Sequence, residues 1–169
     1  RMTKRITIST LDAMKASGDK FVMITAYDAT FARLASEAGA ETILVGDSLG
    51  MVLQGHETTI PVSLDAMAYH TECVARARPH SLIVADLPFM SFSNADDTLH
   101  ASTRLMQAGA QMVKLEGGTW LSDSIHRLVE RGVPVCAHPG LTPQSVNVFG
   151  GYRVQGRTPK EAKSILADA

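Results

Sequence analysis

The stretch Thr42-Ile43-Leu44-Val45-Gly46-Asp47-Ser48-Leu49-Gly50 decides the fold. Its apolar, β-branched opening suits a strand buried in a parallel sheet. The run breaks at Gly46 and delivers Asp47 and Ser48 into a turn. The same phrase recurs along the chain: Phe21–Asp28 closes on Asp28, Ser81–Asp86 on Asp86, Met112–Gly117 on Glu116 and Val133–His138 on His138. Five apolar runs thus finish on an ionisable side chain, with helical patterns between them. In sheets built from strand–helix units, ligands bind at the carboxyl ends of the strands. The five ends are therefore expected to make one site.

Working outward, the composition bounds the rest. The 169 residues suffice for a real core, and with no linker or low-complexity stretch a single domain over 1–169 is expected. Sixteen basic residues against seventeen acidic leave a formal charge of −1. Nothing in that balance attracts a polyanion, so neither nucleic acid nor an acidic membrane surface is an expected partner. No apolar run approaches the roughly 18 residues of a membrane span, and no signal-peptide pattern is visible. Arg1 ahead of Met2 reads as an addition in front of the natural start. Cys73 and Cys136 show no metal-ligand spacing and read as buried free thiols in a reducing compartment.

Between the strand-like runs the helices announce themselves by caps and stops. Thr7–Ser17 is weakly helical and ends at Gly18. Thr30 can cap a helix with Phe31, Leu34, Ala35 and Ala38 on its apolar face, and Tyr27-Asp28 are expected either to line the site or to cap that helix. Leu49–Pro61 is a long connection of the kind that carries function. Ser63 opens a helix through Leu64, Met67, Ala68, Thr71 and Val74. Ser93 or Asn94 caps another, with Ala101 and Leu105 inward, and Thr119 begins one through Ile125, Leu128 and Val129. Gly39, Gly109 and Gly132 each stand between a helix and the next strand, the punctuation of a repeating βα unit. Thr158-Pro159-Lys160-Glu161 is a strong helix start, and that helix runs to Ala169 without a stop signal.

Two architectures accommodate five βα units. A doubly wound sheet of flavodoxin type is complete with five strands. A (β/α)8 TIM barrel needs about 250 residues, so this reading makes the chain the first five units of a longer product. Length favours the open sheet. The polar residues favour the barrel, because a closed ring brings every strand end to one face.

The strand ends carry the chemistry. Period-two alternation puts Met112, Lys114 and Glu116 on one face of their strand, with Val113 and Leu115 on the other. A buried lysine two residues from a carboxylate is either a mutual salt bridge or part of a site. Asp47 and Asp86 read equally as turn or cap residues when taken singly. Together with Glu116 they form an oxygen-rich set that suits a hard cation such as Mg²⁺ better than Zn²⁺. Such a set beside a lysine serves chelation of an α-keto acid, or phosphoryl transfer to Asp86 as in a receiver domain. The receiver reading wants paired acids after the first strand and a lysine ending the fifth. Here those positions hold Asp28 alone and His138-Pro139. Gly150-Gly151-Tyr152-Arg153 is a weak phosphate-loop candidate, since it follows no strand and opens no helix.

Several stretches resemble ketopantoate hydroxymethyltransferases: Ile24–Asp28, Val45–Met51, Ala85–Met90, Val113–Gly118, Gly140–Ser145 and Phe149–Arg157. The likeness runs from about Phe21 to Arg157. It implies a TIM barrel of the phosphoenolpyruvate/pyruvate type. It also implies transfer of a one-carbon unit from 5,10-methylenetetrahydrofolate to 3-methyl-2-oxobutanoate, in pantothenate and coenzyme A biosynthesis. Asp47, Asp86 and Glu116 match the positions around Mg²⁺, and Ser48 and Lys114 those that hold the keto-acid carboxylate. His138 matches a pocket histidine, and Asp47 and Asp86 are expected to meet substrate as well as metal. The family's glutamate base is expected beyond residue 169, and family members are cytoplasmic homo-oligomers, commonly decamers. Cys136-Ala137-His138-Pro139 departs from the family pattern at Ala137 and Pro139. An unclosed barrel exposes sheet edges, so the chain alone is expected to bind metal and keto acid weakly.

Overall fold

The computed structural model describes residues 5–169, so the expected addition at Arg1 and Met2 lies outside the described residues. Each of the five apolar runs forms a strand: β1 Met23–Thr25, β2 Thr42–Val45, β3 Leu82–Asp86, β4 Met112–Glu116 and β5 Val135–His138. They pair in parallel in the order β1-β2-β3-β4-β5. A flavodoxin-type sheet would insert β1 between β2 and β3. Sequential order without a switch point is that of consecutive barrel staves, so topology overrides the length argument and removes the sheet a receiver domain needs.

Register sets up the site. Asp86 lies opposite Lys114, and Glu116 lies opposite His138, so these side chains leave the sheet in adjacent rows. Ile43, Val45, Ile83, Ala85, Val113 and Leu115 supply the heart of the core from β2, β3 and β4. Each large aliphatic side chain buried there contributes about 1.5–3 kcal/mol.

The helices pack as amphipathic covers. Helix α1 (Ile8–Ser17) carries a capping box between Thr7 and Thr10, and buries no residue. Helix α2 (Ala29–Glu37) is capped by Asp28, whose Oδ1 accepts from Phe31 N at 2.9 Å. The other candidate cap, Thr30, already lies in the first turn, because the backbone at Asp28 is still extended and its short carboxylate reaches the free N–H. Its buried stripe is Ala32 and Ala35. Small residues let the helix approach closely, which turns Phe31, Leu34 and Ala38 outward, against the expected face.

The short α3 (Leu49–Val52) occupies the start of the long connection. Helix α4 (Leu64–Arg76) is capped by Ser63 and buries Met67, Ala68, Thr71 and Val74. Helix α5 (Ala95–Gln107) is capped by Asn94 and buries Ala101 and Leu105. A Cβ on Gly109 would stand 2.4 Å from that of Ala75, so this glycine lets the end of α5 pass the end of α4. A 3₁₀ turn, Thr119–Leu121, leads into α6 (Ser122–Glu130), which buries Leu128 and leaves Val129 exposed, contrary to expectation. After β5 come a 3₁₀ turn (Pro143–Ser145), α7 (Val146–Phe149) and α8 (Pro159–Asp168), the last opened by the expected Thr158/Glu161 capping box. Among the described residues no helix is long and apolar enough to cross a membrane.

Candidate active site

The carboxyl ends of β2, β3, β4 and β5 converge. The Asp47 backbone N–H donates to Asp86 Oδ2 at 3.1 Å. Lys114 Nζ stands 2.6 Å from Asp86 Oδ1 and 3.8 Å from Glu116 Oε1. The lysine therefore bridges its row neighbour and its own strand's carboxylate, as the alternation along β4 requires. At that distance the ammonium is the direct partner of Asp86 Oδ1 in a buried ion pair. His138 Nδ1 lies 3.2 Å from Glu116 Oε1, and Ser48 Oγ shares a 2.9 Å hydrogen bond with Tyr27 OH.

Gln144, in the turn after β5, ties the group together. Its backbone N–H donates to Glu116 Oε2 at 3.0 Å. Its side-chain Nε2 donates to Asp47 Oδ2 at 2.7 Å and to the Leu87 carbonyl at 2.9 Å. Sequence reasoning gave this residue no role. The one available signal was a polar amide following Thr142-Pro143 immediately beyond a strand end. The His70 Nδ1 pairs with the Tyr27 carbonyl at 2.9 Å, steadying the segment that carries the phenol.

Three carboxylates face one ammonium. Burial, and then the Asp86 anion, push Asp47 up from 3.8 to about 7, against the opposing hydrogen bond from Gln144. Burial also raises Asp86, although Lys114 pulls it down. Lys114 feels the reverse: burial works to lower it, and the carboxylates, led by Asp86, outweigh that and hold it above its ordinary value. The site is thus short of positive charge where water is scarce.

That shortage and an all-oxygen donor set fit a hard divalent cation. Among the described residues, no three His, Cys, Asp or Glu side chains are arranged to hold a metal. Asp47, Asp86 and Glu116 therefore do not form the expected three-carboxylate cage. Glu116 is engaged by Lys114, His138 and the Gln144 N–H instead. A cation taking one or two carboxylates and filling its shell with water and ligand oxygens fits what remains, which is the habit of Mg²⁺.

Asp28 does not join the group, because it is spent on capping α2. Four of the five expected strand ends therefore meet, and the first contributes Tyr27 in place of its acid. Cys73 and Cys136 are free, and half-buried where full burial was expected. Burial raises the Cys136 thiol, against the opposing pull of Lys114, its register partner on β4.

Comparison with known proteins agrees with this arrangement of staves. The family model for ketopantoate hydroxymethyltransferase matches residues 5–169. A 3-methyl-2-oxobutanoate hydroxymethyltransferase of Burkholderia vietnamiensis is 60% identical over 164 residues, covering 97% of this chain and 60% of its own length. A second such enzyme, from Pseudomonas aeruginosa, is 60% identical over 97% of this chain and 62% of its own length. The chain thus spans about three-fifths of the length of these relatives. Among solved structures, 2,3-dimethylmalate lyase, a PEP mutase/isocitrate lyase superfamily member, superposes with a TM-score of 0.64 at 14% identity, covering 95% of this chain and 59% of that one. Phosphonopyruvate hydrolase, solved with oxalate and Mg²⁺, gives 0.67 at 17% identity over 92% of this chain and 66% of its own. At such identities the likeness carries the fold alone, that of a TIM-barrel superfamily.

Proposed function

The chain belongs to the ketopantoate hydroxymethyltransferase family, and on that premise we propose that its strand-end cluster is the keto-acid site of a hydroxymethyl transfer. The reaction moves a one-carbon unit from 5,10-methylenetetrahydrofolate to 3-methyl-2-oxobutanoate and gives 2-dehydropantoate, a step of pantothenate and coenzyme A biosynthesis. The observation that carries this reading is the buried excess of carboxylate around Lys114, where Asp47, Asp86 and Glu116 share one ammonium.

Asp47 and Asp86 would hold Mg²⁺, with Glu116 further out, ordering the shell through its contacts to Lys114, His138 and Gln144. Bound there, Mg²⁺ would supply Lewis-acid withdrawal that acidifies the C3–H of the keto acid. Lys114 and Ser48 receive the substrate carboxylate, and the hydrogen bond from Tyr27 orients the Ser48 hydroxyl. As the C3 proton leaves to a base outside the residues assigned here, negative charge grows toward the keto oxygen. The Lys114 ammonium, already fixed by Asp86, stabilises that charge without reorganising. Water releases the folate-borne methylene as formaldehyde, leaving tetrahydrofolate. The electron pair freed at C3 adds to that carbonyl carbon, while its oxygen takes up a proton and becomes the product hydroxyl. His138 lines the pocket from β5, its Nδ1 3.2 Å from Glu116 Oε1. A cytoplasmic homo-oligomer, a decamer in the full-length form, completes the reading.

Calorimetric titration of 3-methyl-2-oxobutanoate into the protein tests this. Every keto-acid and metal ligand assigned above lies within the chain, so heat is expected with Mg²⁺ and none after chelation. Mg²⁺-dependence is the readout. A folded protein that ignores the keto acid with and without Mg²⁺ contradicts the proposal.

A further inference from the structure

Beside the carboxylates opens a cavity of about 130 Å³ that the keto-acid site leaves unused. Its walls divide by chemistry. Phe89, Phe92 and Trp120 form an apolar side, while Glu116, Gln144 and Ser145 form a polar end. The rings of Phe92 and Trp120 lie nearly parallel, 16° apart with centroids at 6.1 Å. Phe92 is buried and Trp120 is 63% exposed, so the stack runs from the core out to the rim. Gly117 makes this possible. A Cβ there would meet Leu121 at 2.7 Å and the indole at 2.9 Å, so any side chain at 117 would push the ring off the end of β4.

We propose that this cavity receives the flat heteroaromatic ring of the folate donor, packed on the Phe92–Trp120 stack with its hydrogen-bonding edge toward Glu116 and Gln144. The proposal rests on the reading of the preceding section, because it says where the second substrate of that reaction docks. Joining two carbons requires adjoining subsites, and this cavity shares Glu116 and Gln144 with the keto-acid group. Aromatic walls with a few convergent polar groups are the usual build of a small-molecule pocket. Aromatic faces favour a flat ring laid parallel and offset, or edge-on. The cavity is smaller than the roughly 300–1,000 Å³ that holds a whole drug-sized ligand. It therefore takes the ring alone, and the rest of the donor leaves past the exposed Trp120.

Trp120 is the one tryptophan in the sequence, so its emission reports on this cavity alone. Tetrahydrofolate, titrated with Mg²⁺ and 3-methyl-2-oxobutanoate present, is expected to shorten the Trp120 fluorescence lifetime. Trp120→Leu, at an exposed position that leaves the fold intact, should weaken tetrahydrofolate binding in calorimetry at least tenfold. The same variant should change Mg²⁺-dependent keto-acid affinity less than twofold. Phe92→Leu, which keeps an apolar core residue, should weaken tetrahydrofolate at least threefold. Keto-acid binding with an unchanged lifetime, or with tetrahydrofolate affinity indifferent to Trp120→Leu, overturns this inference and leaves the keto-acid site standing. Loss of both ligands overturns both. A shortened lifetime without keto-acid binding upholds the cavity and removes the reaction assigned beside it.

Discussion

Strands β3 and β1 grow from apolar runs of the same kind and meet opposite fates. All five residues of β3 are buried, whereas none of the three in β1 is, with Met23 and Ile24 41% and 40% exposed. Position in the sheet makes the difference. Strand β3 has β2 and β4 on its flanks, while among the described residues β1 pairs with β2 alone. The acids at their ends diverge with them. Asp86 is buried, loses its water and pairs with Lys114, whereas Asp28 stays at the surface and caps a helix. A carboxylate at a strand end thus becomes chemistry only where burial makes its charge costly. The same phrase at the edge is architecture.

The contrast can be broken most forcefully at its centre. Lys114→Ala should cost about 3–5 kcal/mol, the usual penalty for removing one partner of a buried pair, because Asp86 and Glu116 are left facing each other. Chemical denaturation should find a midpoint drop of that size, and Mg²⁺-dependent keto-acid binding should disappear. Gln144→Leu comes next. It strands Asp47 Oδ2 and the Leu87 carbonyl in the interior, at about 1–3 kcal/mol for each unsatisfied group.

Asp47→Asn should act in the other direction. Between about pH 4 and pH 7 the folded chain keeps on Asp47 a proton that the unfolded chain has lost. Metal-free stability therefore falls as pH rises through that window and levels off above it. Asparagine keeps an oxygen for Gln144 and removes the titration. The variant should gain about 1–2 kcal/mol at pH 7.5, or roughly 2–8 °C in Tm, with the gain shrinking toward pH 4. Urea unfolding at several pH values in the presence of chelator measures it. At the edge, Asp28→Ala should cost only about 1 kcal/mol, the worth of a helix cap, with keto-acid affinity unchanged within twofold. A larger loss of binding there would erase the distinction between centre and edge.

Much of this was legible in the sequence, and the reason is locality. Alternation along Met112–Glu116 fixes which side chains share a face, and a glycine or acid after an apolar run marks the strand end. Asp47, Asp86, Lys114 and Glu116 could therefore be named from residues within a few positions of each. Gln144 could not, because its bond to Asp47 spans 97 residues and no local pattern encodes it. Thr30 and Asp28 both stayed open as the cap for a similar cause: both residue types cap helices well, and only the extended backbone at Asp28 decides between them. The outward turn of Phe31 and Leu34 was hidden because hydrophobicity ranks them above Ala32 and Ala35, while close packing of helix on sheet selects the smaller pair. Sheet order, too, is a property of the whole chain. Length favoured the open sheet while the polar strand ends and the family resemblance favoured the barrel, and the sequential pairing of the strands decides for the barrel.

The central claim is that the buried strand ends hold more negative charge than the protein itself balances. The carboxyl ¹³C resonance of Asp47, followed through a pH titration with and without Mg²⁺, addresses it directly. The account predicts a midpoint near 7 without metal and a midpoint lowered by more than one pH unit with saturating Mg²⁺. An Asp47 that titrates at an ordinary carboxylate value and does not respond to Mg²⁺ would contradict it.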